Sequence, residues 1–406
     1  MRLTAFTVTG YRTFAEPTRI ELRPITLLYG RNNAGKSALL RLLPLLGDSV
    51  ADTADSPLTL SGPAGRDSTY LDLPWQGQTH KRLTITLEWV DGDQRITDAI
   101  EFDHQDGPGV YVRSIRTTGP HAFKATSIEF GSGRYTLSAG GDASELRLDF
   151  EGLLPQARVQ HPPLVALRDR LVTLRQTITW LMASRVRPRK LIERTGARPR
   201  LGHDGANADA ILVAQKEVLD DVARWYARPE LARTLSTVEV NHPFHRLKLN
   251  PANAAGFDVN LKDTGEGMTQ VLPVLVAAAQ ARLTSGPRFL AIEEPESHLH
   301  ADAQHALASH LAELAAIDDP PIILLETHSR LLMLGFQLAV AGGVPPDKLI
   351  AYWVDQEANG SGSAQPVTFS DHGHIDGWPA LAMSEDRVLA RRLVSAQIGR
   401  ERAGRG

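Results

Sequence analysis

The chain has 406 residues, 44 basic and 47 acidic side chains, a formal net charge of −3 and no cysteine. At roughly 100–200 residues per domain this length predicts two or three domains, and the lack of cysteine excludes disulfides, thiolate metal centres and thiol nucleophiles. With 42% hydrophobic and 22% charged residues, and no apolar run near the roughly 18–20 residues that span a bilayer, an integral membrane protein is not expected.

The N-terminus, MRLTAFTVTGYRTF, alternates apolar and polar residues and lacks the apolar core of a secretory signal, which predicts a cytoplasmic location. Residues 1–30 read as strands, the last of them the run Ile25 to Tyr29. It leads into GRNNAGKSALLRLLPLL, where glycines give way to helical periodicity: strand, loop, helix. Segments such as LTITLEWV, VYVRSI and ELRLDFEG between 83 and 150 predict an antiparallel meander. Leu164, Leu167, Leu171, Leu174, Ile178 and Leu181 fall on one helical stripe, predicting a helix across 160–183 that packs in its own domain or forms a partner or dimer seam. A second helical stretch is expected near 205–235. From Met268 onward helices alternate with the apolar strands FLAIEE, PIILLE and KLIAYWV, the pattern of a parallel α/β sheet, which the first thirty residues are expected to join. The stretch 357–366 reads as a flexible loop, and the C-terminus as a basic tail.

Four motifs carry chemistry. Gly30-Arg-Asn32-Asn33-Ala34-Gly35-Lys36-Ser37, between a strand and a helix that continues with Ala38, matches a phosphate loop. Its backbone N–H groups would surround phosphates, Lys36 would reach the β- and γ-phosphates, and Ser37 would offer its hydroxyl to Mg²⁺. The strand FLAI ends in Glu293-Glu294-Pro295-Glu296. Glu293 would hold the magnesium shell and Glu294 would polarise the attacking water. The strand IILL ends in Glu326-Thr327-His328-Ser329, bringing His328 to the same sheet edge. Asp263-Thr264-Gly265-Glu266-Gly267 opens a helix whose N–H groups face outward. His298, His300, His305 and His310 do not all share a helical face, so no metal site is expected there.

In this order the motifs resemble those of ABC-type ATPase heads, and more narrowly the RecF/SMC-like branch. Within that branch the chain is similar to stand-alone AAA-domain ATPases like the ATPase part of OLD (overcoming-lysogenisation-defect) nucleases. The similarity covers about residues 1–40 and 255–355. It implies a P-loop NTPase head of mostly parallel sheet flanked by helices, with an antiparallel β-lobe and an inserted helical lid. Residues 1–55 and 259–380 would form the head, 56–155 the β-lobe, 156–258 the lid and 381–406 the tail. The resemblance further implies that Lys36 and Ser37 are the Walker A pair, Glu293 the Walker B acid, Glu294 the catalytic base and His328 the switch histidine. Ser297 to His300 would form the D-loop. Thr264, Gly265, Glu266 and Gly267 would be a signature motif touching ATP held by the opposite subunit, and Arg12 would lie beside the nucleotide. Gln76 or Gln78 is the candidate Q-loop glutamine, with a plain polar loop as the alternative.

These roles imply ATP and Mg²⁺ as cofactors and a head-to-head homodimer or higher oligomer. OLD nucleases continue into a TOPRIM nuclease domain, but the stretch after His328 holds no Asp-x-Asp pair. Any nuclease or toxin is therefore expected on a separately encoded effector, in an anti-phage defence setting; the alternative is a RecF-like repair ATPase that binds DNA directly. Seven basic residues, Arg185, Arg187, Arg189, Lys190, Arg194, Arg198 and Arg200, stand against the single acid Glu193 within 185–200. They form a candidate patch for DNA or RNA, or for an acidic partner.

Overall fold

The computed structural model describes residues 1–77, 82–105, 109–156, 161–196, 199–253, 256–283 and 286–378. Gln78, Arg198 and the tail 381–406 lie outside them.

Two large sheets organise the chain. The first has seven strands in the order Ile178–Leu181, Phe289–Glu293, Ile322–Thr327, Ile25–Gly30, Leu349–Gln356, Gly362–Phe369 and Ile375–Asp376. The first five run parallel and the last two add antiparallel. The strands Phe289–Glu293, Ile322–Thr327 and Ile25–Gly30 are wholly buried, as their near-continuous Leu, Ile and Ala content requires for strands covered on both faces. Alternation splits them cleanly: Leu27, Tyr29, Leu290, Ile292, Ile323 and Leu325 face a core built with the helices Leu272–Arg282, Ala301–Ala315 and Arg330–Ala341. Leu28, Ala291 and Leu324 face the opposite core, shared with the helix Lys36–Ser49 and the second sheet.

That second sheet is an eight-stranded antiparallel layer. The meander expected over 83–150 is present as six successively paired strands from Leu83–Asp91 to Asp142–Arg147. Arg2–Thr9 and Thr18–Glu21 complete it, Arg2–Thr9 pairing with Leu83–Asp91. This corrects the expectation that the first thirty residues join the parallel sheet: only Ile25–Gly30 does so. The two segments differ in how they are covered, since Arg2–Thr9 alternates buried and half-buried positions while Ile25–Gly30 is buried throughout.

The segment 156–258 also departs from the helical reading. The leucine stripe is helical only over Pro162–Thr177; Ile178–Leu181 leaves the helix and becomes an edge strand parallel to Phe289–Glu293. The β-branched run Thr177-Ile178-Thr179 followed by Trp180 favours strand, and pairing with a neighbour outweighs the 3.5-residue periodicity. Helices Ala208–Ala214 and Lys216–Tyr226 lie in the expected second helical stretch. A small antiparallel sheet of Ile192–Glu193, Arg233–Asn241 and Phe244–Pro251 accompanies them. In the stretch 357–366, only the part before Gly362 is a turn; Gly362–Phe369 is a strand against Leu349–Gln356. No helix among the described residues is long and apolar enough to cross a membrane.

Helix Ala301–Ala315 buries His310, with Nε2 3.8 Å from Asp221 Oδ2. Burial, reinforced by Arg282, Arg228 and Arg224, outweighs that carboxylate and drives the imidazole pKa from 6.5 to about 3. A depressed folded-state pKa means that the unfolded chain takes up the proton first, so stability held above pH 6.5 is lost as pH falls toward 3. Between pH 7.5 and pH 5 the protein is expected to lose about 2 kcal/mol through this group. Urea titrations at the two pH values should show a smaller loss in His310→Gln; an equal loss would refute the assignment.

Candidate active site

The phosphate loop is held open by close packing. Gly35 has φ +104, and a Cβ there would lie 2.6 Å from Thr13 Oγ1 and 2.9 Å from the Phe14 ring. At Gly30 a Cβ would lie 2.0 Å from the Val354 carbonyl oxygen. Both positions admit only glycine. Lys36 opens the following helix and is buried, its Nζ donating to the carbonyls of Gly30 at 3.0 Å and Arg31 at 2.7 Å. Burial lowers its pKa, opposed by Glu326, Glu294 and Glu296. The loop borders a cavity of about 290 Å³ lined by Tyr11, Arg12, Asn33, Gly35, Lys36, Ser37, Ala38, Arg41, Ala64, Arg66, Ser68 and Glu326. Four cationic side chains against one carboxylate make it a cradle for polyphosphate. Arg12 is fixed by donating to Ser68 Oγ at 3.0 Å and to the Asp72 carbonyl at 3.2 Å. Asn32 and Ala34 do not line the cavity, while Gly30 contributes through its carbonyl to Lys36.

Strand register sets the carboxylates. Glu293 is directly paired with Glu326 across the parallel sheet, and Glu326 with Leu28, so all three side chains face the helix Lys36–Ser49. On that helix Ser37 and Arg41 stand one turn apart. Ser37 Oγ donates to Glu326 Oε1 at 2.7 Å. Arg41 donates from Nε to Glu293 Oε1 at 2.5 Å and from Nη2 to Oε2 at 2.6 Å, with its guanidinium 5.5 Å from the centre of the Trp180 ring. Trp180 Nε1 adds a third donor to Glu293 at 3.1 Å. Burial, with Glu293 and Glu294 nearby, pushes the Glu326 carboxyl up to about 7 against the opposing bond from Ser37 and the charge of Lys36.

Glu294 leaves the strand at φ +39, which swings its side chain out beyond the strand end. Ser297 Oγ donates to its Oε2 at 3.0 Å, and His328 Nδ1 lies 3.8 Å from its Oε1. Its backbone N–H donates to the Glu326 carbonyl at 2.8 Å, tying the two strand ends together. Glu296 is buried, accepts from Thr327 Oγ1 at 2.5 Å, and has its pKa raised by burial.

The turn Asp263 to Gly267, expected to be a signature motif, stands elsewhere. Thr264 Oγ1 donates to the Leu261 carbonyl at 2.7 Å, and Gly267 packs so closely on the His298 carbonyl that a Cβ would sit 2.3 Å from it. None of Thr264, Gly265, Glu266 or Gly267 lines the cavity. Gln76 does not line it either; its amide donates to the Asn359 carbonyl at 3.0 Å.

The basic segment is corrected in part. Arg185 is buried rather than displayed: its guanidinium donates to the Glu293 carbonyl at the strand end, and desolvation pulls its pKa down to about 10. Arg189 forms a two-pronged pair with Asp209, from Nη2 at 2.8 Å and from Nε at 3.0 Å. Arg187 lies 3.6 Å from Glu266 and Lys190 3.3 Å from Asp263, so both face the signature turn. Arg194 and Arg200 remain on the exposed surface. Among the described residues no group of three or more His, Asp or Glu side chains could hold a metal alone. A magnesium ion at Ser37 would therefore need phosphate oxygens beside the one or two carboxylates such a site ordinarily supplies.

Arg41, Arg66, Trp180 and Glu326 complete this site without having been assigned a role from sequence, and Arg185 joins it in place of the surface patch expected of it. Two of them had a signal: Arg41 interrupts the apolar run ALLRLLPLL, and Glu326 ends the apolar strand IILL. A charge in such a place needs a partner.

The SMC head domain from Thermotoga maritima is similar, with TM-score 0.47 and 15% identity, covering 90% of this chain and 99% of that one. The Smc head domain with an extended coiled coil, bound to the C-terminal domain of ScpA, from Pyrococcus furiosus gives TM-score 0.48 and 10% identity, covering 90% and 96%. Among curated proteins no relative matches the chain. A family profile described as "AAA domain, putative AbiEii toxin, Type IV TA system" matches residues 25–334, from the phosphate-loop strand to the helix beyond His328, and the chain belongs to that family of AAA ATPases.

Proposed function

We propose that the protein binds and hydrolyses ATP with Mg²⁺ between two heads of a homodimer. The cationic cavity around Lys36 and Ser37, with Glu294 and His328 at the adjoining strand ends, carries the reading. Lys36 would exchange its two loop carbonyls for phosphate oxygens, and Arg12 and Arg66 would flank the polyphosphate. Glu294 Oε1 would accept a proton from water, with Ser297 holding the other oxygen and His328 close enough to orient the same water. Ser37 and a strand-end carboxylate would hold the magnesium, which when bound neutralises charge on the phosphates.

The signature turn lies outside the cavity of its own chain, and in this reading Thr264 to Gly267 would meet the nucleotide held by a second copy. Mixing Lys36→Ala with Gly265→Asp tests this, because each variant spoils a different half of a shared site. Equal mixing is expected to restore about one quarter of wild-type turnover, since half of the dimers then carry one intact site of two. A mixture no more active than the separate variants would refute the shared site.

The family description names a toxin and a toxin–antitoxin system. It supports a setting in a toxin–antitoxin system; our reading places this in cytoplasmic anti-phage defence, where opening and closing of the dimer would govern a separately encoded nuclease or toxin. Direct DNA or RNA binding, as in RecF-like repair, is the second reading, and it would fall to Arg187, Lys190, Arg194 and Arg200, since Arg185 is interior. Glu266 and Asp263 already face two of these, which favours the first.

A further inference from the structure

The row of side chains facing the helix Lys36–Ser49 divides labour between its two glutamates. Glu293 has both oxygens occupied, Oε1 by Arg41 and Trp180 and Oε2 by Arg41, and it is absent from the cavity wall. Turning it toward a cation would leave a buried guanidinium unpaired. Glu326 is the reverse: it lines the cavity, its Oε1 already touches the Ser37 hydroxyl, and its Oε2 is buried without a donor. A buried carboxylate oxygen without a partner calls for one, and a cation bound beside Ser37 would supply it. Magnesium held by nucleotide phosphates needs only one or two protein carboxylates.

Resting on the reading of the cavity as an ATP–magnesium site, we propose that Glu326, and not Glu293, is the carboxylate that joins Ser37 in holding the nucleotide's divalent cation. Glu293 instead anchors Arg41 at the cavity wall as a positioning residue. The two strand-end glutamates thus have separate tasks, and the one two residues before His328 carries the metal.

The test titrates Mn²⁺ into the full chain with a non-hydrolysable ATP analogue, read by electron paramagnetic resonance, beside analogue binding measured in EDTA. Glu326→Gln is expected to weaken Mn²⁺ binding by about tenfold or more, with binding in EDTA kept within about twofold, as loss of one charged ligand requires. Glu293→Gln is expected to weaken Mn²⁺ binding clearly less than Glu326→Gln does. A loss in Glu293→Gln equal to or larger than that in Glu326→Gln overturns the proposal. If Glu326→Gln does not fold, Glu326→Asp draws the carboxylate back by one methylene and should still weaken Mn²⁺ measurably; unchanged affinity overturns the proposal. Failure of the unmodified protein to bind the analogue, with or without metal, would instead overturn the ATP-site reading.

Discussion

Replacing Glu294 by Gln is expected to reduce ATP turnover by about 10²–10⁴-fold, the range for removing a general base, while nucleotide affinity stays near that of the unmodified protein. The substitution is nearly isosteric. The amide oxygen can still accept the bond from Ser297 Oγ, and the backbone keeps its φ of +39 and its bond to the Glu326 carbonyl. What disappears is the capacity to take a proton from water. The phosphate cradle of Lys36, Arg12 and Arg66 is untouched, so fluorescent-nucleotide binding should be preserved while phosphate release collapses. His328→Ala should cost less, because its Nδ1 stands 3.8 Å from the Glu294 carboxylate and can orient but not replace it. Turnover that survives Glu294→Gln would remove Glu294 from the chemistry and leave Glu296, buried and bonded to Thr327, a poor substitute.

The phosphate loop, the strand ends and the alternating elements from Met268 onward were legible because each is a local pattern with a physical requirement. Glycines must stand where Gly30 and Gly35 approach other chain segments, and apolar strands must end where their carboxylates can be used. Positions that depend on pairing between distant strands were not legible. The placement of Arg2–Thr9 in the antiparallel sheet rests on its register with Leu83–Asp91. The change from helix to strand at Ile178 rests on the open edge of Phe289–Glu293. Nothing within either segment encodes the partner. The same limit hid the role of Glu326: its equivalence to Glu293 is a fact of register, visible only once the two strands lie side by side. The basic segment failed for a different reason, since charge density along the sequence does not reveal that Arg185 turns inward and that Asp209, Glu266 and Asp263 wait for three of its neighbours.

The edge strand connects the site to a buried charge some distance away, and its disruption should be the largest effect on stability. Asp98 is fully buried in the antiparallel sheet, where its Oδ1 accepts from Arg170 Nη2 at 2.6 Å and Thr117 Oγ1 at 2.7 Å, and its Oδ2 from Arg170 Nε at 2.7 Å and Trp89 Nε1 at 3.0 Å. Four donors satisfy the carboxylate, and the pair pins helix Pro162–Thr177 to the sheet. Asp98→Ala leaves the Arg170 charge buried and alone, so a loss of about 3–5 kcal/mol is expected in urea unfolding. Adding Arg170→Met removes that orphaned charge and should recover part of the loss. Recovery stays incomplete because Trp89 and Thr117 each keep a buried donor, at about 1–3 kcal/mol per unmatched group. Helix Pro162–Thr177 runs directly into Ile178–Leu181, whose Trp180 donates to Glu293 and stacks under Arg41. The single substitution should therefore also loosen the wall of the nucleotide cavity, raising hydrogen exchange in Ile178–Leu181 ahead of Phe289–Glu293. Equal stability in Asp98→Ala would mean that the pair adds nothing over water, a result incompatible with its complete burial.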